Sequence, residues 1–108
     1  MFDDASLDTY MDKILKEEAP QVAGSLDALS KVLLLENGLD QKMAQLIYLG
    51  IAIAAEDSSA VAFHVGAAKR LGASRQEVKN TALLTLTTSG VSVAMNALAL
   101  SLDAYDIE

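Results

Sequence analysis

Only one side chain in this sequence is an imidazole: His64. Read as a helix, its segment places Asp57, Ala60, Val61, Ala68 and Leu71 on the same stripe as His64, with Lys69 and Arg70 turned elsewhere. The histidine therefore lies on a largely apolar face, two turns from the carboxylate of Asp57. Two readings fit that placement. One is a core histidine hydrogen-bonded to a carbonyl or to Asp57. The other is a general acid/base in a small pocket, the commonest chemical use of an imidazole.

The preceding segment carries a second group. Gln45, Tyr48, Leu49, Ala52 and Glu56 recur at helical spacing, so an amide, a phenol and a carboxylate share one face. If that face meets the His64 stripe, Gln45, Tyr48, Glu56 and Asp57 converge on one imidazole. The plainer alternative makes Tyr48 core filler and Glu56 a solvated residue at a helix end. Other chemistries have less behind them. With no cysteine and one histidine, four ligands for a structural zinc ion are not available, and no metal or other cofactor is expected. Ser58 and Ser59 sit where helix caps sit, outside any Gly-x-Ser-x-Gly elbow, and no glycine-rich phosphate loop is present.

The elements that must position these groups read as helices throughout. Asp4 or Ser6 can cap a first amphipathic helix reaching about Glu18, with Leu7, Met11, Ile14 and Leu15 on one face. Pro20 suits the first turn of a second helix, which presents Val22, Leu26, Leu29, Val32 and Leu33 and stops at Asn37-Gly38. Asp40 can cap a third helix running to about Ala55 and apolar nearly all round. A fourth ends at Gly72. Ser74-Arg75-Gln76-Glu77 is a capping box that opens a fifth, expected to reach Ser89, and Gly90 separates it from a sixth ending near Tyr105. The fold expected is all-α, a compact single-domain bundle of about six helices.

Composition limits the partners. Of 108 residues 52% are hydrophobic and only 21% charged, with a net charge of −7. A domain this small hides about two-thirds of its chain's surface, so the apolar excess predicts a homo-oligomer. An acidic chain is a poor ligand for nucleic acid or anionic membranes. Residues 80–102 carry no charge, but their many Ser, Thr and Asn and the central Gly90 argue against a membrane span. No basic region precedes an apolar one at the N-terminus, and a cytoplasmic location is expected.

Three segments in order carry a resemblance: Leu39-Asp40-Gln41-Lys42-Met43-Ala44-Gln45-Leu46-Ile47, then Phe63-His64-Val65-Gly66-Ala67-Ala68-Lys69-Arg70-Leu71-Gly72-Ala73-Ser74-Arg75-Gln76-Glu77-Val78, then Gly90-Val91-Ser92-Val93-Ala94-Met95-Asn96-Ala97. The sequence resembles the carboxymuconolactone decarboxylase family, which includes the alkylhydroperoxidase D-like proteins, over roughly residues 20–102. The resemblance implies one alkylhydroperoxidase D-like helical domain over residues 1–108, assembled as a trimer or hexamer. It implies two activities. Peroxidase-type members use a Cys-x-x-Cys pair, a histidine and a relay glutamate; those positions fall here on Asp57, Ala60, His64 and Gln45, so dithiol peroxidase chemistry is excluded. Decarboxylase-type members lack the cysteine pair and act on a small lactone carboxylate. By that resemblance His64 would shuttle a proton in decarboxylation, isomerisation or lactone chemistry, oriented by Asp57 or Glu56, with Gln45, Tyr48 and Asn96 binding the substrate. No arginine is placed on the His64 stripe to hold an anionic substrate, a role that Arg75 or Lys79 of a neighbouring subunit could fill. The alternative is a non-catalytic oligomer that binds a ligand or partner through a decayed site.

Overall fold

A computed structural model of the chain describes residues 12–35 and 38–107. All regular structure among them is helical. Residues 12–18 form α1, followed by α2 (Pro20–Leu35), α3 (Gln41–Ala54), α4 (Ser58–Arg70), α5 (Arg75–Leu84) and α6 (Val91–Ile107). The expected caps at Asp4 or Ser6, the apolar positions Leu7 and Met11, and Asn37 lie outside the described residues.

The boundaries follow local chemistry. Pro20 opens α2, where its missing N–H removes no helical bond. Asp40 accepts from the Met43 N–H at 2.8 Å and starts α3. The capping box at α5 is complete: Ser74 Oγ accepts from the Glu77 N–H at 3.0 Å, and a Glu77 carboxylate oxygen accepts from the Ser74 N–H at 2.9 Å. Gly72 and Gly90, with φ of +97° and +93°, supply the left-handed turns that end α4 and precede α6.

One boundary differs from expectation. α5 stops at Leu84, five residues before Ser89, and a series of turns fills the gap. There the hydroxyls of Thr85, Thr87 and Thr88 each donate to a carbonyl three residues back. Threonine hydroxyls compete with the backbone for those acceptors, and a run of them closes turns where a helix would otherwise continue.

Helices α3 to α6 form the packed body. Leu49, Ile53, Val65 and Val78 are its largest fully buried apolar residues, and Val61, Ala68, Ala82 and Ala97 belong to the same buried cluster. α4 is built mainly of small residues, so its neighbours can approach closely. Polar ties span the body. Lys42 pairs with Glu77 at 3.0 Å, joining α3 to α5. Arg75 forks onto both oxygens of Asp106 at 2.9 and 3.1 Å, joining α5 to α6.

α2 stands apart. It makes almost no close backbone approach to α3–α6, and only Ala23 along it is buried. The radius of gyration, 14.2 Å, exceeds the roughly 13 Å of an equally long compact chain, as expected when one helix lies off the body. No helix is long and apolar enough to cross a membrane among the described residues.

Candidate functional site

His64 meets α3 at Gln45. Its Nδ1 lies 2.8 Å from Gln45 Oε1. An amide oxygen only accepts, so Nδ1 carries the proton and donates, and the neutral ring keeps its lone pair on Nε2. Nε2 has no hydrogen-bond partner among the described residues. The ring is fixed from two further sides. Tyr48 stacks on it at 4.8 Å between centroids with planes 10° apart, and Phe63 meets it in a T-shaped pair at 5.1 Å and 83°. Gln45 is 6% exposed, so the amide that sets the tautomer is itself held in the body.

Burial pushes the imidazole below its ordinary pKa of 6.5, and the charge of Asp57 partly opposes that shift. At neutral pH His64 is therefore an uncharged base. A neutral glutamine does not stabilise the imidazolium as a carboxylate would, which leaves desolvation the larger influence.

The ring lines a wide open cleft of about 840 Å³. Gln45, Tyr48, Phe63 and His64 form one wall. α1 and α2 supply the other, through Asp12 and Leu15 and through Asp27, Ser30 and Leu34. Gln41 Nε2 donates to the Leu34 carbonyl at 2.8 Å, tying the end of α2 to the start of α3.

The structure thus brings together three of the six residues singled out from the sequence: His64, Gln45 and Tyr48. It places Glu56, Asp57 and Asn96 around a different cavity, of about 180 Å³, between the α3–α4 turn and α6. Two expected roles change accordingly. The group that orients His64 is Gln45, expected to bind substrate, and not Asp57 or Glu56. Asp57 instead caps α4, accepting from the Ala60 N–H at 3.1 Å. Glu56 follows the end of α3 with φ of +55°, which takes it off the stripe shared by Gln45 and Tyr48. Asn96 lies on α6, away from the imidazole cleft.

Phe63 and the α1–α2 wall were not anticipated. Asp27, Ser30 and Leu34 do recur at helical spacing, but nothing in that recurrence says what the stripe faces. Arg75, suggested as an anion holder, is occupied by Asp106 within its own chain. Among the described residues no group of three or more His, Cys, Asp or Glu side chains is gathered as metal ligands would be.

The fold is an all-helical body with a lone imidazole held between two helices. A model of the carboxymuconolactone decarboxylase family matches residues 20–103. The chain belongs to that family. The crystal structure of apo-lpg0406, a carboxymuconolactone decarboxylase family protein from Legionella pneumophila, matches with a TM-score of 0.85 over 96% of this chain and 92% of that one, at 21% identity. At that identity the likeness speaks to the fold. No curated protein matches the sequence. With no cysteine anywhere in the chain, dithiol peroxidase chemistry has no nucleophile.

Proposed function

We propose that the chain is a cofactor-free acid/base enzyme acting on small molecules, with His64 as the proton-transfer group. The observation that carries this reading is the fixed tautomer: Gln45 Oε1 holds Nδ1–H, and Nε2 has no partner among the described residues, on a ring that lines an open cleft. A histidine serving only the core would have both nitrogens satisfied or shielded. In a turnover Nε2 would take a proton from a carbon or hydroxyl of the substrate and return it at another atom, as isomerisation and lactone chemistry require. Through the transfer Gln45 keeps its hydrogen bond, because Nδ1–H donates in both protonation states.

The reading extends to assembly. Val22, Leu26, Leu29, Val32 and Leu33 on α2 and Met43, Ile47 and Ile51 on α3 are all exposed. A second copy is the partner that best accounts for so much uncovered apolar surface.

The test is replacement of His64 by Gln, with turnover of small lactones, enolisable ketones and keto acids compared against the unaltered chain. Loss of a general acid/base is expected to slow a converted substrate by about 10²- to 10⁴-fold. Unchanged turnover of a substrate accepted by the unaltered chain would sink the proposal. A competing reading, a ligand-binding protein with a decayed site, draws on the neutral Gln45 at the position that the family resemblance gives to a relay acid. It would be favoured by a ligand that binds the cleft unchanged over prolonged incubation.

A further inference from the structure

The polar groups around the His64 cleft are unequal in sign. Among the described residues two carboxylates line it, Asp12 from α1 and Asp27 from α2, and no lysine or arginine does. Lys16 stands nearby, but its Nζ is 2.9 Å from Asp12 and is paired with that carboxylate. The opposite wall is aromatic and uncharged: Tyr48, Phe63 and the neutral imidazole.

A ligand seated against this wall meets ring faces and edges on one side and net negative charge on the other. A carboxylate there would have no arginine fork to receive it and would face two like charges. An ammonium or amidinium group would meet Asp12 and Asp27 while its ring packs near Tyr48 and Phe63. The volume, about 840 Å³, is of the size that takes drug-sized ligands.

We infer that the His64 cleft selects uncharged or cationic planar molecules and discriminates against carboxylates, which sets its substrate class apart from that of a decarboxylase. The inference rests on the reading of the cleft as the ligand site. It assigns Asp27 and Asp12 the role of charge selectors and Tyr48 that of a ring platform, and it leaves His64 to work on a neutral or cationic substrate.

Three probes of one shape decide it: 2-naphthylmethylamine, 2-naphthylmethanol and 2-naphthoate, titrated into the full chain at pH 7.5. The readout is the imidazole Cε1–H proton resonance, a single signal because the chain has one histidine. The amine is expected to bind most tightly and the carboxylate roughly three- to tenfold or more weaker than the alcohol, the gap narrowing at high salt. In the double variant Asp12→Asn/Asp27→Asn the three affinities should converge. Naphthoate binding as tightly as the amine, or a preference unmoved by the double variant, overturns the charge selection and leaves the cleft a ligand site. If no probe moves the His64 signal at millimolar concentration, the reading of the cleft as a ligand site fails, and the selection with it.

Discussion

Gln45 and His64, nineteen residues apart in sequence, meet at 2.8 Å between α3 and α4, with the imidazole as donor and the amide oxygen as acceptor. The contact fixes the tautomer without supplying charge. An amide in that position orients the base but leaves its affinity for a proton to burial, which lowers it.

Gln45→Glu should therefore raise the pKa of His64. In the unaltered chain the imidazole titrates below 6.5. With a carboxylate at Nδ1 its pKa should rise by about one unit or more. Once that rise carries it past the unfolded value, the linkage to stability changes sign. A histidine depressed in the folded state destabilises that state as pH falls from the unfolded value through the folded one. A histidine raised by the introduced carboxylate contributes stability below the unfolded value and loses it as pH rises through the folded one. NMR titration of the single imidazole, with urea melts at pH 5 and pH 8, measures both. An unchanged titration in the variant would contradict the contact.

How far the site could be read from the sequence depended on whether a residue's direction is set within its own helix. The caps at Asp40 and Ser74 and the left-handed Gly72 were legible because each is decided by a few neighbouring residues. Gln45 and Tyr48 were placed on one face correctly, since both lie inside α3. Glu56 was not, because counting by helical spacing assumes the helix continues, and α3 ends at Ala54. Asp57 is on the His64 stripe by number, but its carboxylate turns back to the Ala60 N–H. The α1–α2 wall of the cleft depends on how α2 leaves the body, which no local pattern encodes.

Ser74→Ala tests the local part of that account. Loss of the hydroxyl leaves the Glu77 N–H without its acceptor at the start of α5, and such a change typically costs about 1 kcal/mol, within roughly 0.5–2. Denaturant unfolding should show a shift of that size. The His64 resonance should not move, because α5 lies outside the cleft.

Two hydroxyls in the body should respond in opposite directions. Tyr105 Oη donates to the Ala73 carbonyl at 2.9 Å, and Lys69 Nζ sits 4.4 Å from the centre of the same ring. Tyr105→Phe leaves that carbonyl without its donor and should lower stability by about 1 kcal/mol. Ser101 Oγ is fully buried with no hydrogen-bond partner among the described residues. Ser101→Ala removes a desolvated hydroxyl at little change in volume and should leave stability equal or higher, by up to about 1 kcal/mol. Urea melts of the two variants side by side check the contrast; a marked loss in Ser101→Ala would mean that the hydroxyl has a partner.

Self-association is the last expectation, and it depends on where the apolar surface lies. Leu29 is 53% exposed and Ile51 59%, and each belongs to a helical stripe of similar residues, not to scattered positions. Val22, Leu26 and Leu29 run along α2, and Met43, Ile47 and Ile51 run along α3 at four-residue steps, which is the pattern of a face that packs against another helix. Single exposed leucines are ordinary, but two stripes on adjacent helices are not. Leu26→Lys/Leu29→Lys places two charges within one stripe. If that stripe is buried between copies, association should weaken by about a hundredfold or more, from lost burial of two leucines together with the desolvation of the lysines. Sedimentation velocity at micromolar concentration measures it. The unaltered chain is expected to sediment as an oligomer and the variant as a folded monomer with an intact helical spectrum. An unaltered chain that is already monomeric would refute self-association directly, and a variant that remains oligomeric would move the interface away from α2.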